Sequence, residues 1–312
     1  MLMDVVYPYR SAPDDFELRY SLRSLTNLPH RNAIVAGDRP GFASEALTCI
    51  EVEPVEDRYK SSTANILAAA EHGGLTDDFI VMHDDIFILE PWQFRHEHHS
   101  RMKDYLARGG AAGDYRERVK DTLSILTAHG IADPLWYGLH TPTIYNRDRL
   151  IELTREFDGQ RYLLRSLYHN LFPAESHQVR DVKARVWPPT DGRDQGAVLS
   201  ISDTVAMDFR FREWIEARFP DRCRYEHHAE GLCLILGYSP EVWSEAYAVG
   251  DDFEAVIASP EAAKHRYAQG WDWGDIDAIG RTDDHCLRLA SHMGFDPDQI
   301  VFCGRQKQQE AA

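Results

Sequence analysis

The 312-residue chain carries 34 basic and 51 acidic side chains, which gives a formal net charge of −17 at pH 7. This charge repels a phosphate backbone, so general nucleic-acid binding is not expected. The hydrophobic fraction is 43%, and no apolar run approaches the roughly 18 residues of a membrane span. We therefore expect a soluble globular protein, with one large α/β domain and an appendage or with two modest domains.

Cysteine usage and the first residues bear on the cellular compartment. The five cysteines are scattered, odd in number and without CxxC spacing, so neither a disulfide framework nor a thiolate zinc site is predicted. The chain runs directly into a predicted strand without the charged and apolar regions of a signal peptide. These features predict a cytoplasmic protein with reduced thiols.

The first part of the chain alternates between strand-like and helix-like segments. Residues 4–7 and 32–36 have strand character, and residues 17–25 between them place leucines at helical spacing. A strand, helix, strand unit of this kind predicts a parallel sheet. A second helix is predicted over residues 63–71, after a Ser-Ser-Thr sequence that suits a helix N-terminus.

A short apolar run over residues 79–82 predicts a central buried strand that ends at His83, Asp84 and Asp85. The carboxyl edge of an α/β sheet is where such proteins place ligands. Two adjacent carboxylates supply the oxygen ligands that a divalent cation bridging phosphate groups requires. An Asp-Asp pair can also simply open a turn, but its position between two apolar runs favours Asp84 and Asp85 as ligands of Mg²⁺ or Mn²⁺.

The remaining segments are predicted to be mainly helical. Residues from about 93 to 135 are interpreted as a helical insertion, and within it the histidine-rich run 95–99 is interpreted as a solvated or loosely metal-binding loop. Helices are predicted over residues 211–219 and 240–247. The predicted organisation is therefore a catalytic α/β domain over residues 1–226 and a mostly helical extension over residues 227–312.

Three further places carry side chains suited to catalysis or to anion binding. His140 lies in a turn-rich segment and either transfers protons or is structural. Asp203 follows a short apolar strand and is either a catalytic acid or a helix cap. Arg180, Lys183 and Arg185 cluster in an acidic chain, where they either neutralise a diphosphate or form a solvated basic face.

Several of these segments also match one family pattern in order. The segments are Asp4-Val5-Val6-Tyr7; Glu17 through Leu25; Phe79 through Phe87, with His83-Asp84-Asp85; His140-Thr141-Pro142, followed by Asn146 and Leu150; and Leu199 through Asp203, with Trp214 to Pro220 and Tyr225-Glu226. This order resembles the Stealth family of sugar-phosphate transferases, which includes bacterial capsular polysaccharide phosphotransferases and the lysosomal-enzyme N-acetylglucosamine-1-phosphotransferase. The run Glu-Leu-Arg-Tyr-Ser-Leu-Arg-Ser is the most specific of these motifs.

The resemblance implies a Rossmann-like, glycosyltransferase-A-like core with a mostly parallel sheet flanked by helices. It also implies a nucleotide-sugar donor held through a divalent cation on Asp84 and Asp85, and catalytic roles for His140 and Asp203. The donor-binding positions predicted from the resemblance and from the basic cluster together are Tyr7, Arg19, Asp84, Arg180 and Lys183. Lys183 is included because it clusters with Arg180 in an acidic chain.

Two departures from the family pattern affect the predicted reaction. Residues 8–11 read Pro-Tyr-Arg-Ser where the family continues Thr-Trp-Val-Asp-Gly, and residues 202–204 read Ser-Asp-Thr where it shows Asn-Asp-Asp. Short forms with such changes in phages and actinobacteria resemble glycosyltransferases. The sequence therefore predicts transfer of a glycosyl or a sugar-1-phosphate group to an acceptor hydroxyl on a glycan, a protein or a modified nucleobase.

Two other functions remain open from the sequence. A metal-dependent phosphoesterase or nuclease could use the acid pair with the histidine-rich run, although the net acidity disfavours a nucleic-acid substrate. A noncatalytic nucleotide-sugar-binding module could keep the fold and lack a catalytic group.

Overall fold

The computed structural model describes residues 2–12, 15–109, 112–190, 192, 194 and 196–226, together with four strands beyond residue 226. The chain divides into two compact units, the first made of residues 1–40 and 45–225 and the second of residues 41–44 and 226–312. None of the helices in the described ranges is long and apolar enough to cross a membrane.

The described part of the first unit contains both helices and strands. In order they are β1 (Asp4–Tyr9), α1 (Phe16–Ser24), β2 (Ala33–Gly37), β3 (Thr48–Glu51), α2 (Arg58–Glu71), β4 (Asp78–Val81), β5 (Ile86–Ile88), β6 (His96–His98), β7 (Ser100–Arg101), α3 (Met102–Ala107), α4 (Gly113–Ala128), β8 (Leu135–Trp136), β9 (Thr143–Asn146), α5 (Arg147–Glu156), α6 (Leu164–Leu171), β10 (Ser176–Gln178), β11 (Lys183–Ala184), β12 (Val198–Ile201), α7 (Asp203–Ala206) and α8 (Phe209–Arg218).

The main sheet has the strand order β3-β2-β1-β4-β9. The first four strands are parallel, and β9 is antiparallel at one edge. All residues of β1 and β2 are buried, as expected for parallel strands covered on both faces. The prediction of an α/β fold with a mostly parallel sheet flanked by helices is confirmed.

The order of the strands creates a switch point beside β1. From β1 the chain builds β2 and β3 on one side and then returns to place β4 on the other side. The strand order therefore reverses between β1 and β4, and in α/β sheets a ligand crevice forms at such a place.

Helix α2 covers one face of the sheet and begins earlier than predicted. Ile66, Ala69 and Ala70 on this helix belong to the same apolar cluster as Val6 on β1 and Phe79 on β4. The helix starts at residue 58 instead of 63, because the preceding Asp57 side chain accepts the N–H groups of Tyr59 and Lys60 at 3.0 and 3.2 Å.

A second, three-stranded sheet has the order β11-β12-β5. Strand β12 is parallel to β11 and antiparallel to β5. Its apolar side chains join Phe16 and Tyr20 of α1 and Phe211 and Ile215 of α8 in a separate core cluster. Helix α8 agrees with the predicted helix over residues 211–219 to within two residues at its start.

The predicted insertion contains strands as well as the helices α3 and α4. The histidine-rich run was expected to be a loop, and that interpretation is wrong. Residues 96–98 form β6, which pairs in parallel with β10. The middle residue, Glu97, is buried and pairs with Arg95 at 2.7 Å, while His96 and His98 on either side are half-buried. This alternation of burial is that of a strand.

The described residues of the second unit form a four-stranded antiparallel sheet. Its strands are β13 (Leu232–Leu236), β14 (Glu245–Gly250), β15 (Phe253–Ala258) and β16 (Val301–Cys303), in that order. The predicted helix over residues 240–247 is wrong at residues 245–247, which lie in β14. Short apolar segments fit both helical and strand patterns, and here pairing with neighbouring strands decides between them.

Candidate active site

The turn between β4 and β5 places the acid pair at the carboxyl edge of the main sheet. Residues 79–82 are buried, and the Met82 N–H still bonds to Val6 on β1, at 3.0 Å. The turn then closes through a bond from the Ile86 N–H to the His83 carbonyl, at 3.2 Å. Asp84 and Asp85 lie in this turn and are half-buried, beside the switch point of the sheet.

Asp85 is held by side chains from the second sheet. The Lys183 ammonium lies 2.7 Å from Asp85 Oδ2, and the Ser200 hydroxyl donates to the same oxygen at 3.0 Å. Burial opposes ionisation of Asp85, but the charges of Lys183 and His83 outweigh it and hold the pKa of Asp85 below its usual value. Asp85 is therefore ionised at neutral pH.

Asp84 lies in a different electrostatic setting from its neighbour. Burial, and then the negative charge of Asp85, raise the pKa of Asp84 to about 7. Hydrogen bonds from nearby backbone N–H groups and the charge of Lys183 oppose this rise without cancelling it. At neutral pH the two carboxyl groups therefore differ in protonation, although they are adjacent in the chain.

Glu17 brings a third carboxyl group to the site from the first turn of α1. Burial and the charges of Asp84, Asp85 and Asp203 raise the pKa of Glu17 to about 8. Sequence reasoning had included Glu17 in the most specific motif without giving it a role. The signal that was available is its place in the first turn of a helix that follows directly from β1.

Asp203 lies at the end of β12, as the sequence suggested. It is exposed and is the first residue of α7, and Ser202 before it is the capping position. The interpretation of Asp203 as a helix cap is therefore wrong. The Ser202 side chain makes no capping bond, and within the described ranges its buried Oγ atom has no hydrogen-bond partner.

His140 is paired with Asp181, a residue that sequence reasoning missed. The His140 Nδ1 atom lies 3.0 and 2.9 Å from the two Asp181 carboxylate oxygens. The backbone N–H of His140 also donates to Asp181 Oδ1, at 3.1 Å. Asp181 lies next to Arg180 in the predicted basic cluster, and no local spacing connects it with a histidine 41 positions earlier.

Arg165 on α6 holds the backbone around His140. Its Nη1 atom donates to the carbonyls of Leu139 and Thr141, at 2.7 Å each, and its Nη2 atom donates to the Thr141 hydroxyl at 3.0 Å. The loop is thus fixed on both sides of His140. Arg165 was not identified from the sequence, because an arginine within a helix gives no signal of its tertiary contacts.

The loop of His140 and the acid turn lie within electrostatic range of each other. The pKa of His83 is lowered, first by desolvation and further because any positive charge on His140, Arg165 and Lys183 opposes protonation of the ring, although the residue is exposed at the surface. The structure therefore groups His83, the acid pair, Lys183 and His140 at one edge of the sheets.

The predicted donor-binding residues differ in their accessibility. Tyr7 is fully buried, and its hydroxyl lies 3.1 Å from Ser21 Oγ and 3.8 Å from Met82 Sδ. Its side chain packs in the interior of the fold and has no exposed surface that a donor could contact. Arg19 is half-buried on α1 and Arg180 is exposed. The donor-binding roles of Arg19 and Arg180 stay predictions.

Hydrogen bonds to the side chains of Asp15 and Asp38 hold the segment that follows β1. Strand β1 continues through residues 8 and 9, and the buried Tyr9 hydroxyl bonds to Asp15. The Ser11 N–H and hydroxyl donate to Asp38 at 2.8 and 3.1 Å. Gly37 has φ of +125°, and a Cβ there would lie 2.0 Å from the Tyr9 carbonyl oxygen. The carboxyl ends of β1 and β2 are therefore in direct contact.

Within the described ranges, no group of three or more His, Cys, Asp and Glu side chains is arranged to hold a metal ion. Lys183 and Ser200, the two side chains that bind the Asp85 carboxylate in this part of the chain, both engage Oδ2. The oxygens suited to a cation are therefore Oδ1 of Asp85 and those of Asp84. Mg²⁺ commonly uses only one or two protein carboxylates together with substrate phosphates, and this donor set fits that pattern.

Comparison with known proteins finds solved structures that are similar to this chain at low sequence identity. No protein-family model matches the sequence, and no curated protein matches it significantly. The chain is similar to the crystal structure of an active-site mutant of LgtC, with a TM-score of 0.41 and 13% identity over 71% of this chain and 98% of that one. It is also similar to the galactosyltransferase LgtC in complex with donor and acceptor sugar analogs, with a TM-score of 0.40 and 12% identity over the same shares.

Proposed function

We propose that the first unit is a metal-assisted transferase that takes a nucleotide-activated sugar as donor and an acceptor hydroxyl as the second substrate. The observation that carries this proposal is the position of Asp84 and Asp85 at the carboxyl end of β4, beside the switch point of a parallel sheet. Lys183 and the His140–Asp181 pair lie at the same edge. The ordered motifs that resemble the Stealth pattern support the same class of reaction.

The acid turn would hold a divalent cation together with the donor diphosphate. Asp84 and Oδ1 of Asp85 supply the protein oxygens, and Lys183 keeps Asp85 ionised. The bound cation supplies positive charge against the diphosphate as it departs. Because the pKa of Asp84 is about 7, protons compete with the cation, so cation affinity rises as the pH increases through 7.

The proposed chemistry leaves two products to distinguish. Attack of the acceptor hydroxyl at the anomeric carbon transfers a glycosyl group and releases a nucleoside diphosphate. Attack at phosphorus transfers a sugar-1-phosphate group and releases a nucleoside monophosphate. His140 is the proposed proton acceptor, and the exposed Asp203 at the edge of the site is the second candidate for that role.

The test combines binding with product analysis. Nucleotide sugars are screened by thermal shift with and without Mn²⁺, since a ligand of the folded state raises the melting temperature. Released nucleotides are then separated into diphosphates and monophosphates. We expect Mn²⁺-dependent binding by the wild type and by Asp121→Asn, a control in an exposed ion pair with Arg161. We expect Asp84→Asn to lose it, because an amide does not replace the anionic ligand.

Three outcomes would contradict the proposal. Unchanged Mn²⁺-dependent donor binding in Asp84→Asn would remove the cation from the acid turn. Cleavage of a model phosphodiester without any nucleotide sugar would indicate a phosphoesterase. Donor binding with neither hydrolysis nor transfer would indicate a noncatalytic binding module.

A further inference from the structure

The Asp181 carboxylate receives two N–H groups from the same histidine. The backbone N–H of His140 donates to Oδ1 at 3.1 Å, and Nδ1 lies 3.0 and 2.9 Å from Oδ1 and Oδ2. An ionised carboxylate only accepts hydrogen bonds. Nδ1 must therefore carry a hydrogen, and Nε2 is the ring nitrogen that has a lone pair in the neutral imidazole.

Neighbouring side chains hold the backbone on both sides of His140, which keeps its ring next to the Asp181 carboxylate. Arg165 binds the carbonyls on both sides of His140. Gly138 is packed so closely against Trp136 that a Cβ at residue 138 would lie 2.0 Å from the ring. Trp136 is itself buried and stacked on Tyr105 at 4.5 Å. The backbone around His140 is thus held by contacts with Arg165 and Trp136.

We infer that Asp181 is a positioning residue, which fixes His140 in the tautomer that leaves Nε2 free of hydrogen and ready to accept the proton of the acceptor hydroxyl. This inference rests on the proposed function. As the hydroxyl oxygen bonds to the electrophilic centre of the donor, its proton passes to Nε2. The bond to the nucleotide leaving group breaks at the same time, and its electron pair leaves with that group.

Replacing Asp181 by asparagine tests this arrangement with almost no change of shape. The side-chain oxygen of asparagine must face the backbone N–H of His140, which needs an acceptor. The amide NH₂ group then faces Nδ1 and donates to it. Nδ1 becomes an acceptor and the ring hydrogen moves to Nε2, so Asp181→Asn holds the histidine in place in the wrong tautomer.

The first measurement needs no substrate. Two-bond ¹H–¹⁵N spectra are recorded around pH 9, where a histidine side chain is ordinarily neutral, and the His140 signals are assigned by their loss in His140→Ala. We expect the Nδ1–H tautomer in the wild type and in Asp121→Asn, and the Nε2–H tautomer in Asp181→Asn. A wild-type ring with its hydrogen on Nε2 would overturn the inference, whether or not the variant folds.

The second measurement concerns turnover. We expect Asp181→Asn to keep the melting temperature and donor affinity of the wild type and to lower the single-turnover rate by about 10²–10⁴-fold. Normal turnover with the changed tautomer would overturn the inference. If the wild type has no transferase activity, the proposed function fails, and the spectra still decide whether Asp181 sets the tautomer.

Discussion

Adjacent residues in the acid turn have different electrostatic partners. Asp85 is bound by Lys183 and Ser200, and its pKa lies below the usual value, whereas the pKa of Asp84 is raised to about 7. When two carboxylates share a site and only one of them is paired with a cation, the repulsion between them raises the pKa of the other. Lys183 is therefore the residue on which the ionisation of the turn depends.

The first prediction at this scale concerns Lys183. Its side chain is 17% exposed and that of Asp85 is 18% exposed, so loss of the ammonium leaves a poorly solvated carboxylate without its cation. We expect Lys183→Ala to lower the free energy of unfolding by about 1.5–3 kcal/mol at neutral pH, as measured by urea denaturation. Arg185→Ala is the control, because Arg185 is exposed on the same segment. Equal stability of the two variants would contradict the prediction.

At the scale of elements, the loop that follows β8 determines where His140 lies. This loop packs Gly138 closely against the ring of Trp136, and Arg165 on α6 binds the loop backbone. The close approach leaves no room for a side chain at residue 138, so the position of His140 depends on this packing.

We therefore expect Gly138→Ala to push the loop away from Trp136. The predicted cost is about 1–3 kcal/mol of unfolding free energy, as for overpacking of a buried site, together with a lower turnover rate because His140 is displaced. Gly73→Ala is the matched control, since a Cβ at residue 73 would meet no atom within 4 Å. Calorimetry and single-turnover rates test both variants, and a Gly138→Ala protein as stable and active as the control would refute the argument.

At the scale of the whole molecule, the site makes stability depend on pH. The pKa of Asp84 rises from 3.8 to about 7 on folding. Between these values the folded protein retains a proton that the unfolded chain has lost, so Asp84 lowers stability as the pH rises from about 4 to about 7. Glu17, with a pKa of about 8, acts in the same direction over a wider range.

The third prediction follows from this decrease of stability with rising pH. At pH 5 only part of this loss of stability has developed, so Asp84→Asn should exceed the wild type in melting temperature by a small margin. At pH 8 the wild type carries the unfavourable charge and the variant does not, so the variant should be the more stable protein. Thermal melts without divalent cations at both pH values test this, and a difference that stays constant between pH 5 and pH 8 would contradict it.

Local patterns in the sequence determined much of the first unit. The apolar runs and the spacing of leucines encode β1, α1, β2, β4 and α8, and the order of strands and helices encodes a parallel sheet. The same patterns placed an acid pair at a strand end, because a buried strand that stops at charged residues must stop at an edge. For residues 245–247 the local pattern was insufficient, since short apolar runs fit a helix as well as a strand.

Only the tertiary structure decided what those acids and His140 contact. Lys183 reaches Asp85 across 98 positions of the chain because β11, β12 and β5 form one sheet. Asp181 reaches His140 across 41 positions, and Glu17 enters the site through the packing of α1. Hydrogen bonds and charge interactions between segments that are far apart in the chain produce no recognisable residue spacing in the sequence. The sequence alone therefore determined that an acid pair lies at the end of a buried strand, and strand pairing and helix packing decided its partners and its protonation.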